Sequence, residues 1–504
     1  MKYTAINIGP IIDTLSMGRR PRELWSASYM FSFLMECIIK EIKKDNTLNL
    51  ISPAVIEGNN KSDIGLYPDR VFFSGENITD EKVKDIISNA FVSFKDKETV
   101  PIGEEYINTM HVTLDDNDDP LIKSLNQLLD CTELFQRPTG GETYEKVAEF
   151  ITDKKSKLIT TVLGKDRSIP TLAEIATANF SNNEHWKEWK KLAIDDKTDE
   201  FYSELRKAYG KEFHSLYKYI CVVQADGDNM GKIVSSIPID KVSEVSEALL
   251  KYGKSACEKV KEYGGLPIYA GGDDLLFIAP VRGKDNKNIF NLIDEIDTLY
   301  KEKVDKSIEN YRPGGIHTTL SYGVAISYYK YPLYETFKSA LYLLFDEAKK
   351  TKDTVAWQLR KSSGTGFSGN IKKESLNTEN SETIYTLFKE LANIEVDEKQ
   401  VSAIAHKLRI NEDLLAILRQ SDDIENRIEQ FYKKVMEESN TDNYKKMTRT
   451  LLCKLLPIKE SNNLEDTDIS NEEHEKNEVR SILENMYSIL RTAKFIKGEG
   501  DNDE

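Results

Sequence analysis

The sequence predicts an α+β protein with a ferredoxin-like domain over residues 216–362 and a helical domain at its C-terminal end. In the first of these regions, apolar runs and helical repeats alternate in the order β-α-β-β-α-β, which is the ferredoxin-like or palm arrangement. After residue 382 the chain shows helical periodicity only. The chain has 504 residues, which is too long for a single hydrophobic core, so several domains are expected.

The chain opens with a predicted strand and helix. Residues 2–8 are rich in β-forming residues and end at Gly9-Pro10, a strong break in regular structure. In the helix that follows, the apolar stretch from Tyr29 to Ile39 is shorter than the roughly 20 residues needed to span a membrane, which predicts a core helix. The opening is similar to the later strand at Tyr219, and Pro10 falls where that strand has Asp226. A degenerate duplication or chance similarity would explain this.

A helical segment over residues 143–215, with a proline-marked break at 168–170, precedes the ferredoxin-like region. That region starts with the apolar strand Tyr219–Ala225, and Gly264-Gly265 ends the helix that follows. The apolar face of this helix is predicted to consist of Val242, Val245, Leu249, Tyr252, Ala256 and Val260. The remaining predicted elements are a hairpin with acids at its tip, a helix over about 287–308, a strand over 316–329 and a helix over 334–350.

The last part of the chain divides into a linker and a helical domain. Residues 363–382 belong to a stretch rich in Ser, Gly, Asn and Lys, which is typical of a linker. Two apolar stripes in the following helices indicate a core or a partner-docking face. Residues 460–478 and the tail 498–504 are acidic and are expected to be mobile. The predicted boundaries are therefore 1–142, 143–215, 216–362, 363–382 and 383–504, the last of which ends in the acidic tail.

Three carboxylates form the candidate centre for chemistry. Asp226 ends the first apolar strand of the ferredoxin-like region, and Asp273 and Asp274 lie at the tip of its hairpin. Adjacent strands would bring them together, and carboxylate oxygens are the ligands that Mg²⁺ or Mn²⁺ prefers. Two such ions can clamp the attacking and leaving oxygens in phosphoryl transfer. A solvated turn remains an alternative for each motif alone, whereas an EF-hand loop is disfavoured because position 12 from Asp226 is Ile237 rather than Glu.

Five neighbouring residues are candidates for binding a nucleotide. Gly271 and Gly272 would let a triphosphate approach the backbone and would permit a positive φ in the turn. Gly227 could add its carbonyl oxygen, and Asp228 belongs to the same Asp-Gly-Asp motif. Lys349 could reach a triphosphate as a point charge, and a solvated surface lysine is the alternative interpretation.

Composition excludes several other classes of function. The net charge of −16 opposes binding of nucleic acid through bulk electrostatics, so any such contact is local or made through partner subunits. The five cysteines form no C-x-x-C pair, which argues against a zinc ribbon or a disulfide framework. None of the six histidines is followed by Asp, so a histidine-aspartate nuclease is not supported. The N-terminus lacks the regions of a signal peptide, and a cytoplasmic location without membrane association is expected.

Five segments stand out together, at residues 8–10, 19–29 and 168–177 and at residues 226–231 and 269–274, DGDNMG and YAGGDD. Together they resemble a known family, the large subunit of type III CRISPR effector complexes of the Cmr (III-B) kind. The first two are similar to its N-terminal signature, the last two resemble the two metal motifs of its second palm domain, and residues 168–177 resemble a further stretch. The similarity is distributed over about residues 1–365, although the GGDD motif alone is shared with other cyclases and polymerases.

The resemblance implies two palm domains with a helical insertion between them and a C-terminal helical domain, the first palm being degenerate. It implies metal ions on Asp226, Asp273 and Asp274 and the conversion of ATP into cyclic oligoadenylate, a second messenger, when the complex binds target RNA. The implied partners are other Cmr subunits and, through the complex, guide crRNA and target RNA. The first palm would help to hold the second ATP.

Two departures and one variation of product follow from the same resemblance. No histidine-aspartate nuclease domain precedes the first palm and no cysteine zinc site lies between the palms, so we expect neither DNase activity nor a structural zinc. Some reduced members join ATP to S-adenosylmethionine, and Asp69 within Tyr67–Val71 could face the ammonium group of that cosubstrate, or lie in a plain turn. A non-catalytic guide-RNA scaffold and a free-standing diguanylate-type cyclase are the hypotheses of other classes.

Overall fold

The structure is a computed structural model of the chain. The residues it describes are 1–55, 63–94, 106–116, 121–134, 141–152, 169–375, 382–394, 398–439, 442–457 and 468–498. Apart from its first residue, Gly498, the predicted acidic tail lies outside these residues. None of the helices within the described ranges is long and apolar enough to cross a membrane.

The N-terminal domain contains a four-stranded antiparallel sheet. Its strands are β1 (Lys2–Gly9), β2 (Leu48–Ser52), β3 (Arg70–Gly75) and β4 (Asn108–Asp115). Its first helices are α1 (Ile11–Leu15), α2 (Pro21–Lys44) and α3 (Asp80–Phe94). The strand order β2-β3-β1-β4, with α2 following β1 and α3 following β3, is the ferredoxin-like topology. The domain therefore has the palm fold, as the resemblance implied.

Helix α2 forms the core of this first palm. Pro21 occupies its first turn, where the missing N–H costs no hydrogen bond, and Glu23 accepts from the Arg19 N–H at 2.9 Å. From Leu24 to Ile42 most of its side chains are buried. The prediction of a core helix around residues 29–39 is confirmed.

The second sheet has six strands. They are β5 (Tyr219–Gly227), β6 (Leu266–Gly271), β7 (Asp274–Pro280), β8 (Leu320–Tyr328), β9 (Thr354–Arg360) and β10 (Gly366–Lys372). They lie in the order β10-β9-β8-β5-β7-β6, with β8 and β9 parallel and the other neighbours antiparallel. The four strands β8-β5-β7-β6 repeat the order of the first sheet, so the predicted β-α-β-β-α-β region is confirmed as a second palm.

Ten α-helices of the described part of the chain lie between β4 and β9. They are α4 (Leu121–Glu133), α5 (Gly141–Thr152), α6 (Leu172–Ala176), α7 (Trp186–Ile194), α8 (Thr198–Tyr209), α9 (Met230–Val234), α10 (Val242–Tyr263), α11 (Ile289–Tyr300), α12 (Leu333–Tyr342) and α13 (Lys349–Thr351). Short π-helical turns extend α11 over Lys301–Asp305 and join α12 to α13 over Leu343–Ala348. The apolar face predicted for α10 packs on the sheet, and Gly264, with a φ of 101°, ends that helix as predicted.

The predicted linker is wrong over residues 366–372, which form strand β10. The segment reads as a linker because its exposed positions carry small polar residues. It is nevertheless a strand because it pairs along its full length with β9. A helix near the C-terminus also contacts it, since the Asn485 side chain donates to the Asn370 carbonyl at 3.1 Å. The sheet therefore continues two strands beyond the ferredoxin-like unit.

The C-terminal domain is helical, as predicted. Its helices are α14 (Ile384–Leu391), α15 (Glu398–Ile410), α16 (Glu412–Arg419), α17 (Ile424–Lys434), α18 (Asn443–Leu455) and α19 (Asp468–Lys497). Both predicted apolar stripes are largely buried and belong to the core. Residues 468–478, which were expected to be mobile, form the start of α19.

The two palms pack against each other along β6 and the segment that precedes β3. The Ser28 hydroxyl donates to the Ile268 carbonyl at 3.0 Å, and the Ala270 N–H donates to the Gly65 carbonyl at 2.8 Å. Lys261 forms an ion pair with Asp63 at 2.9 Å. These contacts place the entry to β3 beside the hairpin that carries the predicted acids.

Candidate active site

The structure brings the three predicted carboxylates together. Asp226 is the penultimate residue of β5, and Asp273 and Asp274 close the β6–β7 hairpin. Because β5 and β7 are neighbours with Ala225 opposite Leu275, the end of β5 lies beside the hairpin turn. The charge of Asp226 contributes to the raised pKa of Asp273, so the two carboxyl groups lie near each other.

Glycines make this geometry accessible. Gly272 has a φ of 69°, which favours glycine, and a Cβ there would meet open space. A Cβ on Gly227 would lie 2.5 Å from Oδ2 of Asp273 and 2.6 Å from Oη of Tyr300. Gly271, without a positive φ, is required because a Cβ would collide with the ring of Tyr269. The predicted positive φ in the turn is thus confirmed for Gly272, and Gly227 keeps the Asp273 carboxylate next to β5.

Burial and mutual repulsion disfavour the ionised forms of these acids. Burial, with the neighbouring charge of Asp226, raises the pKa of Asp273 from 3.8 to about 7. Burial and the charges of Asp226 and Asp273 also raise the pKa of Asp274. Ionising all three together is therefore unfavourable at neutral pH unless a cation binds between them.

Lys349 supplies one positive charge to this cluster. Its Nζ lies 2.6 Å from Oδ2 of Asp226 and donates to the carbonyl oxygens of Asp226 at 2.9 Å and Gly227 at 2.8 Å. Burial lowers the pKa of Lys349, but the charges of Asp226 and Asp228 outweigh it, so the pKa is raised and the ammonium persists. Lys349 is therefore not a solvated lysine, and it donates to the Gly227 carbonyl oxygen that was a candidate for binding the nucleotide.

Asp228 does not join the three acids. Its buried carboxylate accepts hydrogen bonds from the Thr319 hydroxyl at 2.7 Å, the Ser321 hydroxyl at 2.9 Å, the Asp353 N–H at 2.8 Å and Nζ of Lys349 at 3.1 Å. All its lone pairs are engaged by protein donors, so the geometry does not support the predicted role in binding nucleotide. Because β5 ends at Gly227, residue 228 leaves the strand and ties together the starts of β8 and β9.

A fourth carboxylate approaches from the first palm. Asp69 directly precedes β3, as Asp273 directly precedes β7, and these two strands hold the same place in the two sheets. The charge of Asp69 adds to the raised pKa of Asp274, so it lies near the centre. Burial raises the pKa of Asp69 itself, and Arg70 opposes that shift while pairing with two acids of α4 at 2.6 and 2.9 Å. The Tyr67–Val71 segment thus meets the acidic centre.

The donor set fits a hard divalent cation that also binds substrate oxygens. Within the described ranges, no three His, Cys, Asp or Glu side chains are placed so that they could hold a metal ion, so the predicted set Asp226, Asp273 and Asp274 does not form a complete three-ligand metal site in this structure. A cation between Asp226 and Asp273 would offset their mutual repulsion and would displace the Lys349 ammonium from the Asp226 carboxylate. Mg²⁺ commonly uses one or two carboxylates with waters and phosphate oxygens. The residues therefore fit Mg²⁺ or Mn²⁺ bound together with a nucleotide.

The raised pKa of Asp273 predicts that stabilisation by a divalent ion depends on pH. Its folded-state pKa of about 7 exceeds the ordinary value of 3.8, so the folded protein binds more protons than the unfolded chain between these values. The stability of the metal-free protein thus falls as pH rises through this window. A bound cation would stabilise the ionised Asp273 carboxylate and would therefore prevent this loss of stability. We expect the increase in Tm caused by Mn²⁺ to be at least about twofold larger at pH 8 than at pH 6. Thermal unfolding measures this, and an equal increase at both pH values would contradict it.

The two sheets and the acidic cluster define a protein with two palm domains, of which the second carries a centre suited to a divalent cation. Residues 219–356 match the family model described as Cas10/Cmr2, second palm domain, and residues 3–98 match that of CRISPR-associated protein Cmr2, N-terminal. Two regions of the chain therefore match the Cas10/Cmr2 family.

Known relatives agree with this assignment. The CRISPR system Cmr subunit Cmr2 of Pyrococcus furiosus is 32% identical over 208 residues, a match that covers 35% of this chain and 22% of that protein. The apo type III-B Cmr-beta structure has a TM-score of 0.57 at 12% identity, and covers 99% of this chain and 82% of the other. Cmr-beta bound to cognate target RNA has a TM-score of 0.52 at 13% identity, with 98% and 83% covered. At these identities the structures share the fold, and the match to the curated relative spans under a quarter of its length.

Proposed function

We propose that this protein is the Mg²⁺-dependent nucleotidyltransferase of a type III-B CRISPR effector complex, and that it converts ATP into cyclic oligoadenylate when the complex binds target RNA. The observation that carries the proposal is the convergence of Asp226, Asp273 and Asp274 at the ends of adjacent palm strands, with pKa values raised in the last two. A structural turn gains nothing from clustered carboxylates that repel one another, whereas a cation-dependent active site requires them.

The residues of this chain would act by positioning and by charge. In the proposed step a ribose hydroxyl oxygen attacks the α-phosphorus of ATP, the bond to pyrophosphate breaks, and the hydroxyl proton passes to solvent. A bound Mg²⁺ would supply positive charge beside the phosphate oxygens. Asp226 and Asp273 would hold that ion, and Gly272 leaves the hairpin turn open to the triphosphate. Lys349 fixes the end of β5 and could meet the triphosphate once Asp226 is taken up by the ion.

The proposed partners are the other Cmr subunits and, through them, guide crRNA and target RNA. Support comes from the fold that the chain shares with the Cmr-beta structure bound to cognate target RNA. The net charge of −16 agrees with RNA contacts made mainly by other subunits. A cytoplasmic location is part of the same proposal.

A second candidate product, ATP joined to S-adenosylmethionine, is favoured by the position of Asp69. This carboxylate lies near Asp274 on the side of the first palm, and Arg70 beside it is shared with two acids of α4. A cationic cosubstrate would relieve its burial cost, whereas the phosphates of a second ATP would be repelled. The scaffold hypothesis has no comparable observation, because guide-RNA binding gives no reason to cluster these acids.

The assembled complex provides the test of both products. It is incubated with Mg²⁺, labelled ATP and cognate RNA, with and without S-adenosylmethionine, and the products are identified by mass spectrometry. We expect oligoadenylate without the cosubstrate. An adduct that requires S-adenosylmethionine and is lost in Asp69→Asn, but not in the exposed first-palm variant Asp85→Asn, would establish the second product. Absence of any new nucleotide rules out both, and guanine-nucleotide turnover by the isolated chain would indicate a diguanylate-type cyclase.

A further inference from the structure

A continuous series of contacts links the acidic centre to the segment that leads into the C-terminal domain. It runs from Asp226 through Lys349 and Asp228 to Asp353, and from there to residues 373–375, directly after β10. None of the last three steps involves a predicted metal ligand. These distant residues can therefore influence the geometry of the centre.

The first step concerns the number of acceptors around Lys349. Its ammonium has three N–H groups and four nearby oxygens, namely Oδ2 and the carbonyl of Asp226, the carbonyl of Gly227 and Oδ1 of Asp228. A cation that takes the Asp226 carboxylate leaves three acceptors for three donors. Asp228 then provides the one remaining side-chain contact that holds Lys349 beside β5.

The second step concerns what holds Asp228. Its Oδ2 accepts the backbone N–H of Asp353 at 2.8 Å, in the turn between α13 and β9. Lys352 and Asp353 in this turn have φ values of 56° and 48°, the left-handed region that side chains other than glycine disfavour. The turn therefore needs contacts from elsewhere to keep the Asp353 N–H directed at Asp228.

The third step concerns how residues 373–375 supply those contacts. The Lys373 N–H donates to the Asp353 carbonyl at 2.7 Å, and the Ser375 N–H donates to the Asp353 carboxylate at 2.8 Å, where the Ser375 hydroxyl also binds. Nζ of Lys373 lies 3.6 Å from the same carboxylate. This lysine side chain is 1% exposed and is fixed by Asp297 of α11 at 2.6 Å. The turn is thus clamped from the palm core.

We infer that Asp353, clamped by Lys373 and Ser375, is a positioning residue that holds Lys349, and through it the end of β5, in the geometry required for nucleotidyl transfer. Asp353 acts through the Asp228 carboxylate and touches neither the acids of the centre nor a substrate. The inference rests on the proposed function and adds to it a set of residues about 80 to 150 positions away from the acids in sequence. It also assigns a role to β10, because that strand places Lys373 and Ser375 beside the turn.

A double-mutant cycle in the assembled complex tests this inference. Asp353→Ala should lower kcat about tenfold while the KM for ATP changes less than about twofold. In a Lys349→Met background the same substitution should have little further effect, because residues that act through one another are not additive. The exposed variant Asp346→Ala, on the same helical segment as Lys349, is the matched control and should leave activity unchanged. If Asp353→Ala fails to fold, the milder variant Ser375→Ala takes its place, and it should lower kcat about threefold.

Backbone hydrogen exchange of the full chain supplies a readout that does not need activity. Asp353→Ala should speed exchange in residues 349–354 by at least about tenfold and leave the first palm unchanged. Unchanged exchange, or equal losses of kcat in the wild-type and Lys349→Met backgrounds, would overturn the inference. A wild-type complex without product would overturn the proposed function instead, and the exchange result would then decide whether Asp353 positions Lys349.

Discussion

Replacing Asp273 and Asp274 together with alanine is expected to abolish formation of the nucleotide product. The hairpin turn carries two of the three acids of the centre, and their loss leaves Asp226 as the remaining one, paired with the ammonium of Lys349. The charge of Lys349 then offsets that of Asp226, and Asp69, whose pKa is raised by burial, is a poor substitute for the lost carboxylates. Because electrostatic positioning supplies most of the rate in phosphoryl transfer, we expect a decrease of at least about 10³-fold. Mass spectrometry of products from the assembled complex with cognate RNA measures it.

Control variants must distinguish a loss of catalysis from a loss of complex assembly. The Asp273→Asn, Asp274→Asn variant keeps the volume of both side chains and should lose activity equally, since neutral amides do not supply the negative charge that carboxylates give to a Mg²⁺ site. The exposed variant Asp240→Ala removes one acid of the second palm outside the centre and should retain activity. Loss of complex assembly in the double variants, with subunit composition measured by native mass spectrometry, would point to a scaffold and would count against the proposed function.

The place of the acidic centre could be predicted because it depends on where strands end. A buried strand closes with Asp226, and an apolar hairpin has Gly-Gly-Asp-Asp at its tip. In a β-α-β-β-α-β unit the first and third strands are neighbours, so the acids must meet once the element types are right. Both facts are local or topological, and neither needs side-chain packing.

Three features depended on packing and could not be predicted. Asp228 finds its partners Thr319 and Ser321 more than 90 residues away, at a strand start whose position was predicted four residues too early. The contact of Lys349 depends on the π-helical turn before it, whose extra residue changes the helix face on which later residues lie. Strand β10 has polar, exposed positions, and its pairing with β9 decides its structure. In each case the deciding residues are remote in sequence.

Asp228 and Asp273 should respond in opposite ways when stability is measured. Asp228→Ala removes a buried carboxylate that receives four donors and leaves the Lys349 ammonium and the Asp353 N–H without it. Breaking a buried, fully paired charge costs about 3–5 kcal/mol. For a domain the size of the second palm, this corresponds to a decrease of roughly 10 °C in the Tm of its transition.

Asp273→Asn should instead raise the Tm of the metal-free protein at pH 8. The pKa of about 7 means that its ionised form is held in the folded state at a cost, and an amide removes that cost while keeping the shape. Thermal unfolding in EDTA, followed by the same scan with Mn²⁺, measures both variants against the wild type. A decrease in Tm for Asp273→Asn as large as that for Asp228→Ala would mean that Asp273 is a structural residue. The opposite signs follow from one difference between the two carboxylates. Asp228 accepts hydrogen bonds from donors within the protein, whereas Asp273 needs a bound cation to balance its charge.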